Sequence, residues 1–216
     1  MKNLSKIEQS GRSMVEMLGV LAIIGVLSIG GISGYSKAMA KFRVNKTLDQ
    51  ISMLVMNIRS LYSANIDYTG LTDQVAIQMG IIPRDMLPSG STESNATSIV
   101  NAYQGAVKVG SANLGGTARS FFILYTGLTR EACVSIATAD WGSQAGSGLQ
   151  AISIKAGSGT GDAQKKTSNL SATDVSTCNA ADGCYAIDSL PVKLSEAAAK
   201  CSNTTDAGNE VRWDYY

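Results

Sequence analysis

The 216 residues leave room for one domain of ordinary size plus an extended segment. Eighteen Lys and Arg against 17 Asp and Glu make the chain almost neutral, without the basic domain that marks a nucleic-acid binder. Histidine is absent, which removes the commonest general base and metal ligand, and with it most hydrolase and metalloenzyme readings.

Residues 11–36, GRSMVEMLGVLAIIGVLSIGGISGYS, put a single carboxylate, Glu16, just inside an otherwise uncharged apolar run, and the next charge is Lys37. On insertion scales such a group costs about 2.5–3.5 kcal/mol at mid-membrane and less near an interface. A chain that needed only an anchor would carry Leu there, so Glu16 reads as a group with a partner. An ordinary secretory signal fits poorly. Lys2 and Lys6 supply its basic start and Ala38-Met39-Ala40 its small-residue cleavage site. The peptide would then be about 40 residues long, well beyond the usual range, with Glu16 inside it and Lys37 beside the cut. A plain transmembrane anchor explains the hydrophobicity, but neither Glu16 nor the Gly11-Arg12 junction.

Gly11, four residues, Glu16 and an apolar run resemble the class III signal of type IV pilins and related pseudopilins. The resemblance implies that a prepilin peptidase cuts between Gly11 and Arg12 on the cytoplasmic side. The apolar segment then begins the mature protein, and Arg12 carries an N-methylated amine. The family usually has Phe or Met where Arg12 stands. It further implies that Glu16, the fifth mature residue, neutralises the terminal amine of a neighbouring subunit during filament growth. Two such charges about 4 Å apart attract by roughly 4 kcal/mol at an effective dielectric near 20. Desolvation makes the pair better at setting register than at adding stability. Arg12 and Glu16 are spaced i, i+4 and can pair within one helix until the incoming amine arrives.

Removing residues 1–11 takes away Lys2, Lys6 and Glu8, so the remaining side chains balance at 16 of each sign. Three cations precede the apolar run (Lys2, Lys6, Arg12) and four follow it (Lys37, Lys41, Arg43, Lys46), so the positive-inside rule does not set orientation. The cysteines and the loop-rich remainder place the C-terminal part on the exported side. Gly19, Gly25, Gly30, Gly31 and Gly34 each cost a helix about 1 kcal/mol against Ala. Gly30 and Gly34 form a small-xxx-small face for close helix packing. Local loosening of the helix at Gly25, Gly30 and Gly34, which the resemblance suggests, stands equally beside it.

Beyond Lys37 the pattern turns amphipathic. Phe42, Leu48, Ile51, Val55, Ile58 and Leu61 or Tyr62 recur at three- and four-residue steps, with Arg43, Lys46, Asp49, Asn57 and Arg59 on other sides. One helix from about Arg12 to Asn65 would be roughly 80 Å long. In the head that follows, residues 71–79 predict a short helix stopped near Gly80 and Pro83, and residues 89–97 a polar, turn-rich stretch. Residues 106–109 alternate and 121–125 are continuously apolar, so both predict strands of one sheet. Thr129 suits the cap of a helix carrying Cys133. Residues 151–155 alternate, 156–182 predict a long exposed loop, and 194–200 a helix. At the C-terminus Val211, Trp213 and Tyr215 point one way and Glu210, Arg212 and Asp214 the other, which predicts a strand. Trp213 reads as core and Trp141 as an exposed loop residue.

The four cysteines, Cys133, Cys178, Cys184 and Cys201, are even in number and follow an export signal, which favours disulfides outside the cytoplasm. Four cysteines allow three connectivities. Cys178 and Cys184 bracket NAADG, whose Asp182-Gly183 suits a tight turn and a local bridge; Cys133 would then join Cys201. Large C-terminal disulfide loops resemble those of the type IVb pilins. Residues 157–167, GSGTGDAQKKT, lack the Gly-Lys-Ser/Thr of a phosphate loop. Asp and Glu are scattered, with no pair placed as acid and base.

The expectation is therefore an α+β pilin-like chain with no catalytic residues, cofactor or metal. Residues 1–11 are a leader and 12–36 a transmembrane or filament-core helix. Residues 37–66 are an amphipathic helix packed on an antiparallel sheet, and 67–216 a head with a C-terminal disulfide region. Its expected partners are its own copies, a prepilin peptidase, a pilus or secretion assembly machine and the bacterial inner membrane that holds the precursor, with the head in the periplasm. After assembly it would lie in a surface pilus or a periplasmic pseudopilus. The alternatives are an anchored periplasmic binding or enzymatic domain and, within the family, a pseudopilin or a minor tip subunit.

Overall fold

The computed structural model describes residues 14–114, 117–142, 147–157, 178–204 and 208–216. The chain divides into two compact units, Met1–Phe42 and Arg43–Tyr216. Helix α1 (Met14–Leu61) is unbroken at all five of its glycines. No proline interrupts it, and Ser36, Thr47 and Ser52 return their hydroxyls to the carbonyl four residues back. In the first unit every residue from Met14 to Ala38 is exposed.

In the second unit, α1 buries Thr47, Gln50, Ile51, Leu54, Val55 and Ile58, a stripe at helical spacing. Ile51, Leu54 and Ile58 are fully buried, worth about 2 kcal/mol each in transfer terms. Phe42, read from the periodicity as part of this stripe, is exposed and belongs to the first unit.

Among the described residues six strands form the sheet: β1 (Ile99–Val100), β2 (Ala106–Leu114), β3 (Thr117–Leu128), β4 (Leu149–Ala156), β5 (Cys184–Ala186) and β6 (Asn209–Tyr215). Their order is β1-β2-β3-β6-β4-β5 with every pair antiparallel, so the last strand of the chain is inserted between β3 and β4. Val109, Ile123, Trp213, Ile152 and Tyr185 stand opposite one another across five strands. Val107, Tyr125, Val211 and Ile154 form the next apolar row. Both rows belong to the same buried cluster as Ile51, Leu54 and Ile58 of α1. Trp213 and Tyr125 meet edge to face within it, 5.9 Å between ring centres.

Helix α2 (Asp73–Gln78) starts on Thr72, whose hydroxyl accepts from the Val75 N–H, and α3 (Arg130–Ala137) starts on Thr129, which accepts from Ala132. Helix α4 (Leu194–Lys200) lacks a side-chain cap. The open edge of β2 beyond the short β1 is closed by the segment entering α2: Ser111 N–H donates to the Leu71 carbonyl and Val109 N–H to Asp73 Oδ1, while Lys108 pairs with Asp73 Oδ2 at 2.7 Å.

One further expectation needs correcting. Trp141 is half-buried, not an exposed loop residue; its Nε1–H donates to the Ile136 carbonyl, which brings its ring to 5.1 Å from that of Trp213. All seven residues of β6 are buried, Glu210, Arg212 and Asp214 on its polar side among them. Most of the predicted 156–182 loop, residues 158–177, lies outside the described residues. Residues 178–186 carry a single 3-10 turn, Ala180–Asp182, and then β5.

Candidate functional site

The apolar part of α1 sets what the chain can do chemically. It contains an 18-residue window of mean hydropathy 2.2, none of it buried, long and apolar enough to cross a bilayer. Met14, Val15, Val26, Leu27, Ile29 and Ile32 expose two-thirds or more of their surface. A contiguous apolar surface of this length far exceeds what a monomeric soluble protein leaves to water. It must be covered by lipid or by protein.

Glu16 sits in the first turn of α1, where a carboxylate complements the helix dipole, and it is exposed. Gly11 and Arg12 lie outside the described residues, and so does the Arg12–Glu16 pair. Gly25, Gly30 and Gly34 are helical, and a Cβ added at any of them would meet nothing within 4 Å. Among the described residues no close neighbour therefore accounts for the helix stability these glycines forgo.

The head is tied together by polar groups that the sequence pattern did not flag. Arg59, on α1, donates to the Ser147 and Tyr216 carbonyls at 2.8 and 3.3 Å, and its guanidinium lies 5.3 Å from the centre of the Tyr215 ring. Asp85 accepts from Gln50 and Lys46, both at 3.0 Å. Burial pushes the Asp85 carboxyl up, but these hydrogen bonds and the ammonium charge outweigh it and hold it below the usual carboxylate value. On the second face of the sheet, Arg212 and Asp214 share one side of β6 and pair through Nη2 at 2.6 Å and Nε at 3.0 Å, with the guanidinium 4.3 Å from the Phe122 ring centre. Burial raises the Asp214 carboxyl, and Arg212 only partly opposes it.

Among the described residues, four buried side-chain polar atoms have no hydrogen-bond partner: Gln50 Oε1, Arg59 Nε, the Tyr125 hydroxyl and Trp213 Nε1. Burial, reinforced by the Asp85 charge, raises Tyr125 well above the ordinary phenol value. Tyr215 is pushed up to about 12 by burial, against the charge of Arg59.

The cysteines pair as Cys133–Cys201, with Cα atoms 5.9 Å apart and 68 residues of separation, and as Cys178–Cys184, 5.2 Å apart. The first bridge ties α3 to the end of α4. The second closes a turn whose Gly183 has φ +85°, a conformation that favours glycine, and whose Gly183 carbonyl accepts from Ile154 on β4.

Comparison with known proteins agrees over most of the chain. Residues 41–213 match the family described as PilS N terminal. The chain is 26% identical over 212 residues to the major structural subunit of bundle-forming pilus from Escherichia coli O111:H-, covering 98% of this chain and 97% of that protein. The corresponding subunit of Escherichia coli O127:H6 (strain E2348/69 / EPEC) matches at the same identity and coverage. Among solved structures, the type IVb pilin from Salmonella typhi superposes with a TM-score of 0.52 at 20% identity, over 79% of this chain and 98% of that one. That likeness establishes the fold.

Proposed function

The chain belongs to the PilS N-terminal family, and from that premise we propose that it is the structural subunit of a type IV pilus-like filament, assembled through α1. The relatives are structural subunits and the fold is that of a pilin, so the chain is not an enzyme. The observation that carries the proposal is an apolar helix with a carboxylate in its first turn and no covering from Met14 to Ala38, on a chain whose head matches pilins.

The precursor would rest in the bacterial inner membrane with residues 12–36 in the bilayer and the head in the periplasm. A prepilin peptidase would remove residues 1–11 after Gly11, leaving Arg12 with a free and then methylated amine. Glu16 would meet the corresponding amine of the next copy as the helix leaves lipid. Such a contact is head-to-tail, because the group given and the group received differ. A heterologous contact that does not close on itself builds an open helical filament. The glycines at 25, 30 and 34 would serve either close helix packing or local loosening in that filament.

Expression with and without a prepilin peptidase tests this directly. The expected result is a peptidase-dependent mass loss equal to residues 1–11, with one added methyl group. An unchanged mass, or a cut after Ala40, would remove the reading.

A further inference from the structure

We infer that Lys37 and Lys41 form a docking site for the phosphate groups of an anionic phospholipid leaflet, holding α1 at a fixed depth before assembly; this rests on the membrane-held reading above.

The spacing comes first. Glu16 and Lys37 are 21 residues apart on one continuous helix. At about 1.5 Å per residue that is roughly 32 Å, against a hydrocarbon core of about 30 Å. When Glu16 reaches one interface, Lys37 reaches the other. Neither charge then has to sit in hydrocarbon.

Local charge comes second. Lys37 and Lys41 are one turn apart, so like charges face each other along the helix, an arrangement that weakens it unless an anion lies between them. The chain supplies none on this stretch, since it has no acidic residue between Glu16 and Asp49. Among the described residues neither lysine makes an ion pair, whereas Lys46 is committed to Asp85. An anionic headgroup has the charge to bridge them, and each basic residue near such a surface raises binding by roughly fivefold.

The aromatics come third. Tyr35 and Phe42 are exposed by 68% and 59% and stand seven residues apart, on the side of the helix away from the two lysines. Tyr35 at the end of an apolar run is placed where tyrosines anchor helices at the membrane interface. Ring and ammonium groups together define a level at which the helix stops, from opposite sides of it.

Solid-state NMR of the full chain in bilayers tests the site. The chain is labelled at lysine Nζ and reconstituted in phosphatidylcholine with and without about one-third phosphatidylglycerol. The expected result includes phosphorus-31 dephasing of the two Nζ signals of Lys37 and Lys41, much stronger in the anionic bilayer. One of them disappears in each of K37Q and K41Q. Contacts between lipid acyl chains and residues 23–27 report separately whether the helix is embedded. An embedded helix whose Lys37 and Lys41 show no phosphorus proximity overturns the site while leaving the membrane reading intact. Dephasing by carboxylate carbon of a second copy instead of phosphorus also overturns it, in favour of a protein partner. A helix without acyl contacts removes the membrane reading and the site together.

Discussion

Single residues of the head make opposite demands on stability. The Tyr125 hydroxyl is fully buried and unpartnered, so it carries a desolvation penalty that a phenyl ring would not. Tyr125→Phe is expected to raise unfolding free energy by about 1 kcal/mol, measured by chemical denaturation. Tyr125 and Tyr215 both have folded values above the unfolded 10.0, Tyr215 at about 12. Their contribution is therefore whole below pH 10 and lost as pH rises from there toward 12 and beyond. Alkaline denaturation of the Tyr125→Phe, Tyr215→Phe double variant should lose less stability over that range than wild type. Asp214→Asn is expected to do the reverse of Tyr125→Phe and cost about 2 kcal/mol, because it replaces the charged acceptor of the Arg212 Nη2 and Nε hydrogen bonds by a neutral amide. None of these roles was legible in the sequence. The alternation of 210–215 predicts a strand, and nothing local says that this strand will be inserted between β3 and β4 with both of its faces buried.

Elements were more legible than their neighbours. The stripe at 51, 55 and 58, the Thr129 cap and the apolar runs at 106–109 and 121–125 all carry local signals, and each lies in the predicted kind of element. Strand lengths were not legible: β2 runs to Leu114 and β3 starts at Thr117, because cross-strand pairing extends them through Ser111, Ala112 and Ser120, which no pattern marks as strand. The capping of the β2 edge by Asp73 was equally hidden, since it joins residues 35 and 36 apart in sequence. Asp73→Ala should cost about 1–2 kcal/mol by orphaning the Val109 N–H. The two bridges act on very different loops. In the chain-entropy description, Cys133–Cys201 contributes about 4 kcal/mol and Cys178–Cys184 about 2 kcal/mol. Denaturation of the Cys133→Ser, Cys201→Ser variant should therefore show the larger loss of the two.

At the scale of the whole molecule, the head has a closed core while the first unit offers an apolar surface from Met14 to Ala38 that lipid or protein must cover. Glu16 is the one carboxylate on that surface, and Lys37 at its far end is the other charge. The composition that excluded most enzyme readings and the Gly11–Glu16 spacing were both legible in the sequence, because they depend on residue type and distance along the chain alone. The way copies meet was not, because it depends on surfaces brought together only in the filament. Electron microscopy and shearing of cells producing wild type or Glu16→Gln, with matched levels of folded, disulfide-bonded head, measure that contact most directly. Filaments from wild type and few or none from Glu16→Gln are expected; filaments of equal number and length from both would contradict assembly through this carboxylate.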